Sequence, residues 1–329
     1  VFGVLMTLVA GSIYGMIKQT RSTGAALTFV VYLLIGCWAT ALARFDLIPA
    51  GLTLAAAILA QRDRWKWAFV LLALAILFKF YPLVLLPVFF IAQQRRYRGD
   101  AWYAWRRWDG IALCICICVL VMAVSLALSV DGTLSAFAYF KDRPIQIESV
   151  AAGWLWLGHF VGYPLHYIVS FGSHNVLSPL SAPLSLLLTL SDIAGLLYLY
   201  WLQWRDKLDI FTACLLALLI TLVTGKVFSP QYLLWVVPFV AYVGANNGKW
   251  LLSWGLVGLL TTVIYPFLYA LSYSHSYATP LTHIGAFYPS VLLRGLTLLG
   301  IVCALFYQAI TANASGARDL TPSDPATIV

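Results

Sequence analysis

Long runs of apolar residues separated by short polar turns fill most of the chain. A helix needs about twenty apolar residues to cross the hydrocarbon core of a bilayer, and several runs have this length. Continuous runs favour helices over the strands of a membrane barrel, in which apolar and polar residues alternate. The apolar runs are 2–17, 24–43, 47–60, 67–78, 82–93, 110–130, 183–203, 208–225, 231–246, 250–271 and 287–310.

This pattern predicts an all-α fold, a polytopic transmembrane helical bundle with about eleven spans. Residues 1–310 form the transmembrane domain, and residues 311–329 are predicted to be a disordered cytoplasmic tail because they are polar and contain Pro and Ser. The mixed stretch at 150–182 contains Gly, His, Ser and Pro, and we expect it to be re-entrant or interfacial.

Composition supports a membrane location. Hydrophobic residues make up 62% of the chain and charged residues 10%, with a mean hydropathy of +0.89, whereas a soluble domain carries roughly a quarter charged residues. The net charge of +8 does not indicate nucleic-acid binding, because the basic residues stand in short clusters between apolar runs. All six cysteines lie within apolar runs and are interpreted as buried small hydrophobes.

The basic residues predict the orientation of the spans. Alternating the spans places fourteen Lys and Arg residues on one side and five on the other, with Arg294 inside the last span. The richer side is cytoplasmic by the positive-inside rule. The five residues on the extracytoplasmic side are Arg44, Lys79, Lys141, Arg143 and Lys226. All five histidines also fall in the predicted outer loops, so the polar chemistry gathers on this face.

One outer turn, Lys79-Phe80-Tyr81-Pro82, interrupts two apolar runs. Proline disfavours the helical conformation of the residue before it, so one helix ends here and another begins. A lysine at this depth is costly unless it is paired or reaches the interface. One interpretation is that Lys79 and Tyr81 bind a lipid phosphate. The alternative is that Lys79 is a snorkelling lysine at a helical hairpin turn.

The stretch from Lys141 to Ser149 is dense in polar groups. Arg143 can bind phosphate oxygens in a bidentate manner, and Glu148 can orient a hydroxyl or act as a base. If residues 145–148 are extended, Gln146 and Glu148 point to the same side. An ordinary solvated loop with local ion pairs is the alternative.

The turn from Lys226 to Tyr232 again combines a lysine with a proline break. Ser229 or Gln231 can cap the following helix, whose N-terminal end favours anions, and simple capping is the alternative to an anion site. Because three turns each bring a cation together with an amide or an aromatic ring to one face, we interpret them as a pocket for an anionic sugar lipid, with Tyr232 in its wall.

Several further polar residues have two interpretations. Arg44 and Asp46 form either a local ion pair or part of the outer site. Asp192 lies within an apolar run, where carboxylates are often functional, although a hydrogen bond to a neighbouring helix is an equal alternative. His159, His166 and His174 lack the spacing that places two ligands on one helical face, and the sequence predicts no metal site and no cofactor.

Four segments resemble glycosyltransferase family 87, polytopic transferases of the C superfamily. They are ARFDLIPA (43–50), ILFKFYPLVLLP (76–87), RPIQIESVAAGWLWL (143–157) and FSPQYLLWVVPFVAY (228–242). The resemblance implies inverting transfer of a hexose, typically mannose, from a polyprenyl-phosphate donor to a lipid or glycan acceptor on the extracytoplasmic face. The resemblance implies that the residues matching the family's motif positions belong to the site. These residues are Lys79, Tyr81, Arg143, Gln146, Glu148, Ser229, Gln231 and Tyr232.

The chain departs from the family at the general base, which in the family is an aspartate in the first extracytoplasmic loop. No Asp-x-Asp sequence occurs here, and the chain begins inside an apolar run. We therefore expect an N-terminal part upstream of Val1 to carry that loop. If the chain is complete, Asp46 or Glu148 serves as the catalytic base.

A multi-pass transporter or lipid flippase is the alternative function. Transporters commonly show repeated halves and sites at mid-membrane, whereas this sequence has no internal repeat and its charges cluster at one end of the spans. Asp192 and Arg294 are the residues that favour the transporter.

Overall fold

The computed structural model describes residues 1–274 and 281–316, without the side chains of 136–141, 273–274 and 312–316. Helices dominate, and each predicted apolar run coincides with one. The helices are α1 (Phe2–Thr20), α2 (Thr23–Tyr32), α3 (Trp38–Ala41), α4 (Leu47–Gln61), α5 (Trp65–Phe78), α6 (Leu86–Arg96), α7 (Asp109–Leu128), α8 (Val130–Asp142), α9 (Val150–His159), α10 (Ser181–Trp204), α11 (Ile210–Thr224), α12 (Leu233–Gly244), α13 (Gly248–Thr262), α14 (Tyr269–Ser274) and α15 (Phe287–Gly316).

Six helical stretches among the described residues are long and apolar enough to cross a membrane, which indicates a membrane protein. They are Phe2–Thr20, Thr23–Ala41, Asp109–Leu128, Ser181–Trp204, Gly248–Ser272 and Phe287–Thr311. The apolar helices α4, α5, α11 and α12 are shorter than this length. The helical bundle is thus confirmed, and the count of about eleven spans stays a prediction.

The surface of α7 and α10 suits a lipid environment. These helices expose Val119, Leu120, Leu186, Leu187 and other large apolar side chains. An apolar surface of this kind is unfavourable in water and marks contact with another apolar phase or partner.

Two helical stretches contain π-helical segments, and their backbones approach each other closely at a pair of glycines. A π-helical segment, Leu33–Cys37, joins α2 to α3, and a second one, Val263–Leu268, continues α13. Gly36 packs so closely against Gly258 that a Cβ atom at Gly36 would lie 2.6 Å from the Gly258 Cα. Small residues permit such close helix packing in membrane proteins, and here it joins the first π-helical segment to α13.

The expectation of a purely helical fold is corrected by a small antiparallel sheet. Its strands are β1 (Ile145–Gln146), β2 (His166–Ser170) and β3 (Ser173–Leu177), in the order β1-β3-β2. Phe171 and Gly172 connect β2 to β3 with φ values of 55° and 65°, as two-residue hairpin turns require. The stretch predicted to be re-entrant or interfacial thus contains α9 followed by this hairpin.

The described residues form two hydrophobic cores. The larger lies among the helices of the bundle, with Phe29 of α2, Phe69 of α5, Phe89 of α6 and Phe239 of α12 fully buried. The smaller contains residues of β1, β3, α9 and the beginning of α15, such as Ile145, Val176 and Phe287. The second core holds the sheet at one end of the bundle.

Turns that the sequence assigns to one side contact one another. On the predicted cytoplasmic side, Arg96 pairs with Asp63 at 2.7 Å, and Arg95 pairs with Asp206 at 2.6 Å. The turns on the other side form the site described below. The segment 311–329, predicted to be disordered, is helical as far as Gly316, and its remainder lies outside the described residues, as do residues 275–280 of the predicted outer loop.

Candidate functional site

The turn before α4 and the turn after α5 are joined by an ion pair. Asp46 is only 1% exposed, and its Oδ1 accepts hydrogen bonds from Lys79 Nζ and, at 2.5 Å, from Trp235 Nε1. Lys79 has extended backbone after α5 and its N–H still donates to the Ala75 carbonyl. The lysine is therefore paired, as a cation at this depth requires.

Aromatic rings surround the Lys79–Asp46 pair. Trp235 stacks between Tyr81, at a centroid distance of 4.2 Å, and Tyr232, at 3.9 Å. The Lys79 ammonium lies 5.1 to 5.6 Å from the centroids of Phe45, Tyr232 and Trp235, within the range of cation–π attraction. Tyr81 and Lys79 thus support the position of Tyr232.

A cavity of about 860 Å³ opens in front of Tyr232. Six of the nine predicted substrate-binding residues line it, and they come from three separate segments of the chain. These residues are Arg44, Arg143, Gln146, Ser229, Gln231 and Tyr232. The cavity has the size of a typical ligand site, and two arginines, Arg44 and Arg143, are among its lining residues.

Backbone hydrogen bonds join the strand segment to the turn before α12. Gln146 N–H donates to the Lys226 carbonyl at 2.9 Å, and Ile147 N–H donates to the His174 carbonyl at 3.2 Å. Arg143 Nη2 donates to Ser173 Oγ at 3.0 Å. Arg143 is thereby held against the hairpin at the edge of the cavity.

Gln146 offers an acceptor within this wall. The residue is 5% exposed, and its Oε1 has no hydrogen-bond partner among the residues that the structure describes. A buried polar atom without a partner costs free energy. A ligand hydroxyl in the cavity would satisfy it.

Glu148 lies behind the cavity, buried with Arg294. Both residues are almost completely buried, at 2% and 1% exposure. Arg294 Nη2 donates to the Glu148 carbonyl at 2.6 Å, and Nη1 lies 3.8 Å from Oε2. Tyr269, which lines the cavity, donates its hydroxyl to Glu148 Oε1 at 2.7 Å. The Tyr269 phenol therefore links Glu148 to the cavity by a hydrogen bond.

Burial alters the proton affinity of two groups in these loops. Desolvation raises the pKa of Glu148 above its ordinary value, although Arg294 and the Tyr269 hydrogen bond act in the opposite direction. Desolvation lowers the pKa of Lys226, opposed by the nearby charge of Asp142. A raised pKa makes a carboxylate a stronger base, which suits general-base chemistry.

Lys226 lines a different, smaller cavity. This space of about 190 Å³ lies between α10 and α11, and Asp192 and Thr224 line it as well. Thr224 Oγ1 donates to Asp192 Oδ1 at 2.9 Å. The Lys226 carbonyl thus contacts the main site through Gln146. The residue itself lines the Asp192 cavity, and the charges of Asp142 and Arg143 act on its ammonium group.

The structure separates the predicted residues into two groups. Six line the main cavity directly, while Asp46, Lys79, Tyr81, Glu148 and Lys226 lie behind it or beside it. The side chain of Lys141 lies outside the described residues. Ser229 or Gln231 was expected to cap the following helix, but the N-terminal ends of the 3₁₀ turn and of α12 there have no side-chain cap. Both residues line the cavity.

Sequence reasoning missed several residues of this wall. Tyr265 and Tyr269 line the cavity together because the helix is broken at Tyr265, which precedes Pro266 and has extended backbone (φ −130°, ψ 120°). The tyrosine–proline pair within an apolar run was the available signal. Ser173 and His174 reach the wall through the hairpin, which was not predicted.

Within the described residues, no group of three or more His, Cys, Asp or Glu side chains lies close enough to hold a metal ion. No protein-family model, curated protein or solved structure matches the chain.

Proposed function

We propose that this protein is a membrane glycosyltransferase of the family 87 type. It transfers a hexose, mannose by the family resemblance, from a polyprenyl-phosphate donor to a lipid or glycan acceptor. The cell membrane is the proposed location, with the site on the extracytoplasmic face. The observation that carries the proposal is the shared cavity, in which Arg44, Arg143 and Gln231 converge from distant segments.

The cavity has the chemistry to hold a sugar phosphate. Arg44 and Arg143 supply guanidinium groups, which bind phosphate oxygens through paired hydrogen bonds. Ser229, Gln231 and Gln146 Oε1, which has no partner among the described residues, provide groups for sugar hydroxyls. The cations would also stabilise the charge that develops on the departing phosphate.

The proposed reaction is a direct displacement. The acceptor hydroxyl oxygen forms a bond to the anomeric carbon while the bond from that carbon to the phosphate oxygen breaks, and polyprenyl phosphate leaves with the electron pair. The hydroxyl proton passes to Tyr269 Oη as Tyr269 gives its own proton to Glu148, along the hydrogen bond of 2.7 Å. Attack opposite the leaving group inverts the anomeric centre.

Asp46 is the weaker candidate for the base. Its Oδ1 is shared by Lys79 and Trp235, and it does not line the cavity. We assign it and Lys79 a positioning role, in which the pair holds Trp235 and, through Trp235, the Tyr232 ring. Glu148 is the preferred base because Tyr269 connects it to the cavity.

A transporter is the second candidate function, and the Asp192 cavity favours it. A half-buried carboxylate beside Thr224 and Lys226 within the helices is the kind of site that ion-coupled transport uses. Arg294, the other residue that favoured this function, is instead bonded to Glu148.

Transfer of radiolabel from polyprenyl-phosphate-mannose in proteoliposomes tests the proposal. We expect labelled lipid or glycan product with the unaltered protein, and none with Glu148→Gln or Tyr269→Phe. Asp192→Asn serves as the control, because its cavity is separate. Counterflow of the donor without product, lost in Asp192→Asn, would instead establish the transporter.

A further inference from the structure

A second cavity of about 580 Å³ shares a wall with the first. Three residues line both spaces, namely Val169, His174 and Tyr269. The second cavity lies between β2, the end of α14 and the 3₁₀ turn Leu281–His283. Two ligands, one in each cavity, would therefore meet at Tyr269.

The lining of this second cavity differs in charge from that of the first. Among the described residues that line it there is no Asp, Glu, Lys or Arg, and its polar groups are imidazoles, phenols and hydroxyls. Thr282 Oγ1 is buried and makes no hydrogen bond within the described part of the chain. By contrast, Arg44 and Arg143 line the first cavity.

An aromatic platform supports one side of the second cavity. Tyr167 stacks on Tyr288 at a centroid distance of 6.4 Å, and Tyr288 stacks on Trp156 at 5.7 Å. Rigid aromatic rings offer a flat apolar face together with a polar edge. A saccharide has the matching surfaces, because its C–H groups cover a ring face and its hydroxyls bond to imidazole and hydroxyl groups.

We propose that this second cavity is the acceptor site and that it takes a neutral saccharide. A phosphorylated or carboxylated sugar would enter a space without a lysine or arginine in its described lining, and an unpaired charge is costly to bury. This inference rests on the proposed function and adds to it the chemical class of the acceptor. Tyr269 lies at the boundary between the two cavities, and its hydroxyl donates to Glu148 Oε1 at 2.7 Å. A saccharide hydroxyl that contacts Tyr269 there would face the donor cavity.

Ligand binding to the purified protein in detergent tests the assignment without requiring transfer. Saturation-transfer NMR would measure the dissociation constants of mannotriose, a neutral probe, and of mannose 6-phosphate, an anionic one. We expect Tyr167→Ala and Thr282→Val each to weaken mannotriose binding by about tenfold, the effect of one lost contact. Tyr163→Ala is the matched control, because Tyr163 is an exposed tyrosine outside both cavities.

Each of the two probes should respond to substitutions in one cavity only. Arg143→Ala should weaken mannose 6-phosphate binding and leave mannotriose binding unchanged. Mannotriose binding that survives both Tyr167→Ala and Thr282→Val, or that falls with Arg143→Ala alone, would overturn the acceptor assignment. Thermal unfolding of each variant identifies misfolding. If Tyr167→Ala does not fold, Thr282→Val still decides the test, because it preserves the shape of the side chain.

A transfer assay on the same preparations separates this inference from the proposed function. Transfer together with unchanged mannotriose binding in the variants would refute the acceptor site alone. Absence of transfer together with the predicted binding pattern would refute the transferase and leave a neutral saccharide site.

Discussion

Replacement of Arg294 by methionine is the perturbation that the structure describes most fully. The guanidinium group is fully buried, bonds to the Glu148 carbonyl at 2.6 Å and lies 3.9 Å from the Phe228 ring centroid. It thereby joins α15 to the Glu148 loop and to the turn before α12. Arg294→Met fills much of the same volume but leaves the Glu148 carboxylate buried without its cation.

The expected loss of stability follows from this burial. Removing one partner of a buried ion pair costs about 3–5 kcal/mol. For a chain of this length, 1 kcal/mol corresponds to a shift of about 2 °C in the unfolding midpoint, so we expect a decrease of roughly 6–10 °C. Arg62→Met is the control, because Arg62 is exposed at the end of α4, and we expect it to leave the midpoint unchanged.

A double-mutant cycle with Glu148→Gln isolates the interaction of the pair. Arg294→Met should cost only about 1–2 kcal/mol in the Glu148→Gln background, because no charge is left unpaired. The assay is thermal unfolding in detergent, followed by tryptophan fluorescence. Equal costs in the two backgrounds would refute the reasoning that the Arg294 guanidinium compensates the Glu148 charge.

The same cycle has a predicted pH dependence. Without Arg294, the pKa of Glu148 in the folded state rises further above its unfolded value, because desolvation is no longer opposed. Below the unfolded pKa the carboxyl is protonated in both states and the penalty vanishes. The destabilisation by Arg294→Met should therefore be small at acid pH and grow as the pH rises. A constant difference between pH 5 and pH 8 would contradict it.

Three further predictions concern the proposed site. Arg143→Ala should abolish transfer without preventing membrane insertion, whereas Lys226→Met should retain donor affinity because Lys226 is a lining residue of the Asp192 cavity and not of the main cavity. Equal donor dissociation constants for the two variants would contradict this. Lys79→Ala should lower the thermal unfolding midpoint and the transfer rate. The double variant Lys79→Ala/Asp46→Asn should have a restored midpoint, because it no longer contains an uncompensated buried carboxylate. Transfer should rise with pH through an apparent pKa above that of an ordinary carboxyl, set by the raised pKa of Glu148; a pH–rate profile without this ascending limb would exclude Glu148 as the base.

The helices and their turns could be predicted because lipid imposes a simple rule on the sequence. Apolar runs must be helical to satisfy their backbone, and prolines such as Pro82 and Pro230 mark where helices begin. The convergence of Arg44, Arg143 and Gln231 followed from alternating the spans across the bilayer. These residues do line one cavity, while the alternation of the spans across a bilayer stays a prediction.

The remaining features depend on contacts that sequence spacing does not encode. The Arg294 guanidinium meets Glu148 across 146 positions of the chain, and only the tertiary fold brings them together. The extended segment was expected to place Gln146 and Glu148 on one side, but the strand ends at Gln146 and turns. Gln146 consequently lines the cavity, while Glu148 is directed to Arg294.

The hairpin at 166–177 was missed for a different reason. Its strands are short and its alternation is weak, so the length of the polar stretch favoured an irregular interfacial segment. The signal was the two-residue turn Phe171-Gly172, whose glycine suits the positive φ observed there.

Cysteine labelling is a direct test of the main claim. The claim is that the segments containing Arg44, Arg143 and Gln231 line one extracytoplasmic site for a phosphorylated lipid. Arg44→Cys, Arg143→Cys and Gln231→Cys would be introduced singly after replacing the six native cysteines. Arg62→Cys and Lys249→Cys serve as controls on the predicted cytoplasmic side. A membrane-impermeant maleimide applied to intact cells should label the first three and not the controls, and added polyprenyl phosphate should slow that labelling. Labelling of any two of the three from opposite sides, or no protection by polyprenyl phosphate, would contradict the account.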